Sequence, residues 1–355
     1  MQMTFRWYGE GNDTVSLQHI AQIPGCEGIV WALHTLGPGE VWPIEEIAKV
    51  KAQAAKYGLN IDVVESVNVH EAIKQGSSER GKYIENYKQT LRNLGKEGVK
   101  VVCYNFMPVF DWLRTDLFRE LPDGSTALFY EKAKVDSLDP QVLVEEYSKT
   151  TSNMTLPGWE PERMKHLGSM FEAYKDISED DLRANLKYFL DEIIPVAEES
   201  GIKMAIHPDD PPWSIFGLPR IVKSKSDLEK ILAANPSKVN GLTLCSGALG
   251  ANPANDIPDM VRSFGERIHF AHIRNVKIFE NGDFIEVSHR ASDGSIDIVE
   301  VVRAYHEIGY KGYIRPDHGR HIWDEECRPG YGLYDRGLGI MYMLGVWEGL
   351  DKVKN

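Results

Sequence analysis

Gly312-Tyr313-Ile314-Arg315-Pro316-Asp317-His318-Gly319-Arg320 is the stretch from which the fold can be read. An aromatic and β-branched run stops at a proline, and a carboxylate, an imidazole, a glycine and a guanidinium follow at once. A buried strand that runs into a site has this form. Three earlier runs end the same way: Met204-Ala205-Ile206 at His207, Leu242-Thr243-Leu244 at Cys245, and His269-Phe270-Ala271 at His272. Parallel strands in a barrel put their C-terminal ends on one face, where side chains distant in sequence converge. On that ground His207, Cys245, His272 and Asp317 are metal-ligand candidates. Two imidazoles, a thiolate and a carboxylate suit a divalent transition ion, and the thiolate disfavours magnesium and calcium. Zinc, manganese, iron and cobalt stay open.

Working outward, residues 28–33, 61–66 and 98–105 read as the first three strands, and the runs ending at His207, Cys245 and His272 as the fourth to sixth. Residues 284–288 are the best choice for a short seventh, and the opening stretch is the eighth. Helix-period segments lie between them, including one opened by Ser178-Glu179-Asp180-Asp181, which has the form of a capping box, and one capped from Ser226. The first 15 residues are expected to pack across a barrel end, with Arg6-Trp7-Tyr8-Gly9 as a binding cluster in the alternative. Between about 106 and 178 the alternation breaks, and a long helical insertion serving as lid or subunit contact is expected. The predicted fold is a single α/β domain over 1–355, a (β/α)8 TIM barrel, with an open doubly wound sheet as the alternative. Glycine-rich phosphate fingerprints are missing at every strand-to-helix turn, which sets nucleotide cofactors aside.

A chain of 355 residues fits one barrel domain. Its net charge of −13, from 40 basic and 53 acidic residues, argues against a nucleic-acid surface. No apolar run approaches membrane-spanning length, and the N-terminus lacks a secretory pattern, so a cytoplasmic protein with no membrane partner is expected. Cys26, Cys103, Cys245 and Cys327 form no Cys-x-x-Cys pair and are expected reduced. A small-molecule substrate and a homo-oligomer, a dimer first, complete the expected partners.

Arg274 lies two residues beyond His272 and Arg315 two before Asp317, so alternation points each toward its neighbouring ligand. Either can meet a substrate carboxylate or form an internal salt bridge. Arg6 and Asn105, at the end of the third strand, are further substrate-binding candidates. In the stiff loop His207-Pro208-Asp209-Asp210-Pro211-Pro212, Asp210 is a reserve catalytic base. His318 and Tyr331, the second in a Pro-Gly turn, are the first candidates for proton transfer.

Trp7-Tyr8-Gly9, Val64-Glu65-Ser66-Val67, Cys103-Tyr104-Asn105-Phe106-Met107-Pro108-Val109, Asp111-Trp112, Arg114-Thr115-Asp116, the His207 loop, Gly217-Leu218-Pro219-Arg220, Arg315-Pro316-Asp317-His318-Gly319 and Pro329-Gly330-Tyr331 together carry a resemblance. The chain resembles the mannonate dehydratase family of hexuronate catabolism from its N-terminus to about Tyr331. That resemblance implies a xylose-isomerase-like barrel and one manganese or ferrous ion per chain. It also implies dehydration of D-mannonate to 2-dehydro-3-deoxy-D-gluconate, a sugar acid losing its C2 proton and C3 hydroxyl. A metal-dependent sugar isomerase or epimerase on the same barrel is the alternative.

Overall fold

The computed structural model describes residues 1–137, 139–140, 142 and 167–354. Its strands are β1 (Gln2–Arg6), β2 (Cys26–Trp31), β3 (Asn60–Glu65), β4 (Val101–Tyr104), β5 (Asp116–Glu120), β6 (Thr126–Tyr130), β7 (Lys203–Ile206), β8 (Asn240–Cys245), β9 (Ile268–Ile273), β10 (Val276–Ile278), β11 (Phe284–Glu286) and β12 (Tyr313–Pro316). Among the described residues, β1, β12, β9, β8, β7, β4, β3 and β2 close into a barrel in that order. Every neighbouring pair in it is parallel.

Strand alternation separates two apolar groups. Val30, Val63, Val101, Cys103, Ala205 and Phe270 fill the barrel interior. Met3, Phe5, Ile29, Val64, Val102, Met204, Leu242 and Ile314 belong instead to the larger core shared with the helices. Because side chains two apart share a face, Glu65 follows Val63 inward, His207 follows Ala205, and His272 follows Phe270. The polar site is the top layer of this interior stack.

Two expectations are corrected. Residues 284–288 are not a barrel strand: Phe284–Glu286 pairs antiparallel with β10 and β6 in a separate sheet of order β10-β11-β6-β5. A parallel return needs a crossover of a dozen or more residues, and here the chain turns back at Asn281-Gly282 with Gly282 at φ +86. The eighth barrel strand is the N-terminal Gln2–Arg6, which pairs with both β2 and β12 and does not cross a barrel end. Met3 and Phe5 face the helices while Thr4 bonds the Ile314 carbonyl at 3.0 Å.

The described part of the insertion contains strands as well as helices. It begins with the β5–β6 hairpin, turned at Asp123-Gly124 with Gly124 at φ +82, before the helices Lys132–Ser137 and Leu167–Tyr174. Residues 138, 141 and 143–166 of the insertion lie outside the described residues. The capping box at Ser178 forms as expected, its hydroxyl accepting from the Asp181 amide at 3.1 Å, and opens the helix Glu179–Glu199. The following helix, Lys225–Ala234, is capped by Ser224 and not Ser226, since Asp227 supplies the third-position amide. No described helix is long and apolar enough to cross a membrane. All four cysteines are unpaired.

Candidate metal and acid–base site at the barrel mouth

The ends of β7, β8, β9 and β12 bring His207, Cys245, His272 and Asp317 together, one donor atom from each lying within 4.8 Å of all the others. Register does part of this, because Cys245 stands opposite His272 in the β8–β9 ladder. His207 Nε2 lies 3.2 Å from His272 Nδ1, and Cys245 Sγ lies 3.5 Å from Asp317 Oδ2.

The outer ring nitrogen of His207 shows where its proton sits. His207 Nδ1 sits 2.7 Å from the Pro208 carbonyl, which only accepts, so Nδ1 carries the proton. His272 Nε2 faces Glu65 Oε2 at 3.4 Å. Burial would raise the Glu65 carboxyl, but Arg315 and His272 hold it well below the usual carboxylate range, so it too accepts. Burial lowers both imidazoles, His272 to about 4, and leaves them neutral. His207 thus presents a bare Nε2 lone pair 3.2 Å from His272 Nδ1, while His272 Nε2, 3.4 Å from Glu65, makes no hydrogen bond among the described residues. A cation between the two rings would take both inward nitrogens as ligands, and a carbonyl behind His207 and a carboxylate behind His272 are the usual support of metal-binding histidines. The residues fit a divalent ion.

Around this cluster lies a buried net of ion pairs. Arg315 reaches Glu65 Oε2 at 2.9 Å and Asp317 Oδ1 at 3.0 Å. Arg274 reaches Asp210 Oδ2 at 2.8 Å and Asp317 Oδ2 at 3.2 Å. Arg114 grips Asp210 with two bonds, at 2.8 and 3.0 Å, and Glu286 Oε1 with a third at 2.7 Å. Burial works against ionised carboxylates, but these guanidiniums keep Asp210 far below its ordinary range. Removing one partner of such a buried pair costs about 3–5 kcal/mol.

His318 Nε2 lies 3.0 Å from the Tyr331 hydroxyl, and the rings meet edge to face. The presentation of Tyr331 is local. Tyr331 N–H donates to the Arg328 carbonyl at 2.8 Å across Pro329-Gly330, with Gly330 at φ +78, where only glycine sits without strain. The Gly330 amide is held by His321 Nε2 at 2.8 Å. Burial, reinforced by Tyr8, raises the Tyr331 phenol well above its ordinary value, so it keeps its proton.

The other expected residues divide. Arg6, Asn105, Asp210 and Arg274 line the cleft together with His318 and Tyr331. Arg315 stands beneath it, 1% exposed and engaged by Glu65 and Asp317. Arg6 donates to the Trp7 and Val30 carbonyls and to His34 Nε2, with no carboxylate bonded to it. Asn105 Oδ1 accepts the Met107 amide at 3.2 Å. Sequence reasoning assigned no role to Glu65, Arg114 or Glu286. The strand-end rule that found His207 applies equally to Glu65, whereas Glu286 was hidden by its placement in a barrel strand.

A closed parallel barrel with a charged, metal-fitting cluster at the C-terminal ends of its strands defines a barrel enzyme. The chain belongs to the D-mannonate dehydratase (UxuA) family, which matches residues 1–355. It is 65% identical over 353 residues to the mannonate dehydratase of Endomicrobium trichonymphae, covering 99% of this chain and 97% of that one. The crystal structure of mannonate dehydratase from Streptococcus suis serotype 2 matches at 44% identity with a TM-score of 0.90, covering 100% of this chain and 96% of that one. A xylose isomerase domain protein from Planctomyces limnophilus, 11% identical with a TM-score of 0.55 over 99% of this chain and 97% of that one, shares the fold alone. The enzyme is thus a carbon–oxygen lyase acting in mannonate dehydration, and the isomerase alternative is set aside.

Proposed function

We propose that His207, Cys245, His272 and Asp317 hold one divalent ion, manganese or ferrous iron, and that His318 and Tyr331 move the protons as D-mannonate becomes 2-dehydro-3-deoxy-D-gluconate. The observation that carries this reading is the 3.0 Å contact between His318 Nε2 and the Tyr331 hydroxyl, beside the four-donor cluster. A bound ion supplies Lewis-acid stabilisation of the negative charge that builds up next to the carboxylate when C2 is deprotonated.

The chain's own groups do the rest. His318 Nε2 takes the C2 proton, and Tyr331 gives its proton to the departing C3 hydroxyl, which leaves as water. His318 then returns a proton to the phenolate across their contact, and both groups are reset. The enol product becomes the 2-keto acid by proton transfer to C3. Arg6 is the substrate's carboxylate partner in this reading, since Arg274 and Arg315 are already taken by internal carboxylates. Asp210, gripped by two guanidiniums, positions them and does not act as a base. A dimer is part of the proposal, to be measured by sedimentation equilibrium.

The test uses metal-stripped protein assayed for 2-keto-3-deoxy acid after manganese, ferrous iron, zinc or magnesium is restored. Activity with manganese or ferrous iron, and its loss by two or more orders of magnitude in His318→Asn and Tyr331→Phe at unchanged metal content, is expected. Full activity in the stripped protein would refute the reading.

A further inference from the structure

His318 is approached from behind by two groups with opposite requirements. Its Nδ1 lies 3.2 Å from Glu286 Oε1 and 3.0 Å from Arg274 Nη1. A carboxylate accepts, so the first contact needs a proton on Nδ1; a guanidinium donates, so the second needs Nδ1 bare. Arg274 Nη1 has other acceptors in Asp210 Oδ2 at 2.8 Å and Asp317 Oδ2 at 3.2 Å. Glu286, completely buried, has its Oε2 without a hydrogen-bond partner and its Oε1 shared between Arg114, at 2.7 Å, and His318.

We infer that Glu286 is a positioning residue for the reaction: by accepting the Nδ1 proton of His318 it fixes the ring's tautomer and leaves the Nε2 lone pair aimed at Tyr331 and the substrate. Burial alone would raise the Glu286 carboxyl, but Arg274 and Arg114 hold it below the usual range, which keeps it an acceptor. The ring has a second constraint in Trp112, which meets it edge to face at 5.8 Å. Glu286 comes from β11, and Arg114 from the segment that leads into β5, so the supporting pair comes from the antiparallel sheet and its approach, outside the barrel. The barrel supplies the histidine, and the inserted sheet supplies the group that orients it. A His–carboxylate pair of this kind acts through orientation and tautomer, not by taking up the proton itself.

The inference rests on His318 being the base, and the experiment separates the two. Glu286→Gln, Glu286→Asp, His318→Asn and the Glu286→Gln/His318→Asn double variant are prepared with the metal restored, and metal content, kcat and KM are measured. Glu286→Gln is expected to lower kcat about 100-fold with little change in KM or metal content, within the 10²–10⁴ that a general base contributes. Glu286→Asp, keeping the charge at a shorter reach, recovers part of that loss; if Glu286→Gln does not fold, an intermediate kcat in Glu286→Asp at parent KM carries the same test. The double variant is expected to be no slower than His318→Asn alone, because Glu286 acts through that ring. In protein carrying ¹⁵N-histidine, the His318 signals, identified by their loss in His318→Asn, should report a protonated Nδ1 in the parent and a tautomer mixture in Glu286→Gln.

Losses that multiply in the double variant, or an unchanged kcat in Glu286→Gln, would overturn the role of Glu286 while leaving His318 as base. A fully active His318→Asn would overturn the base assignment, and the positioning role with it.

Discussion

His207 Nε2, left bare by the proton on Nδ1, lies 3.2 Å from His272 Nδ1, so a cation between the rings can take both nitrogens as ligands. Cys245 adds a thiol that burial pushes well up, so it yields its proton only to a metal. Cys245→Ser is therefore expected to weaken metal binding while the fold survives, measured by metal content after dialysis against a graded chelator; full retention would count against the assignment. Arg6 and Arg315 make a contrasting pair. Arg6→Met is expected to raise KM for mannonate at least tenfold with small change in stability, whereas Arg315→Met strands Glu65 and Asp317 and costs about 3–5 kcal/mol in denaturant unfolding. At the opposite end of the barrel, His269 Nε2 donates to the Lys238 carbonyl at 2.9 Å, and burial, with Lys203 adding to it, lowers the imidazole to about 4. Between its ordinary value of 6.5 and about 4 the unfolded chain takes up a proton that the folded chain refuses, so stability falls as pH falls through that window. The contribution is about 3 kcal/mol. His269→Gln should remove it, seen as a smaller loss of unfolding free energy between pH 7 and pH 4.5.

Single elements carry their own terms. The helix Glu179–Glu199 buries Leu182, Leu186, Phe189 and Leu190 against the barrel layer and starts with a complete capping box at Ser178 and Asp181. Ser178→Ala leaves amides of the first turn without an acceptor and is expected to cost about 1 kcal/mol, read as a shift in the denaturant midpoint at unchanged slope. The β10–β11 hairpin matters differently. It is short and stands outside the barrel, yet it carries Glu286 to His318.

Across the whole molecule, closure depends on the first strand. β1 pairs with β2 on one side and β12 on the other, so losing it opens the barrel along two seams. Phe5, completely buried in the helix-facing core, should cost about 3–5 kcal/mol when changed to Ala. Metal binding should also register globally. An ion at 100 times its dissociation constant adds about 2.7 kcal/mol to the folded state. Manganese or ferrous iron should therefore raise Tm in the parent and raise it less in Cys245→Ser.

The sequence by itself determined the repeating unit: short apolar runs ending in His207, Cys245, His272 and Asp317, separated by helix-period segments, are enough to place four donors at one end of a parallel barrel. Strand period and connection length are local properties, and they are written in consecutive residues. Tertiary structure alone decided which run closes the barrel. Gln2–Arg6 and residues 284–288 look alike as isolated short strands; they are told apart by which edges are left unpaired once the other seven strands are in place. It also decided which arginine has no carboxylate among its hydrogen-bond partners in the described residues. Arg274 and Arg315 stand beside ligands in sequence just as expected, but their partners come from elsewhere, Asp210 from the loop after β7 and Glu65 from the end of β3, and only their convergence shows that these charges are already matched. Glu286 reaches His318 from a separate sheet, and a contact between two sheets leaves no mark on the spacing of either residue in the chain.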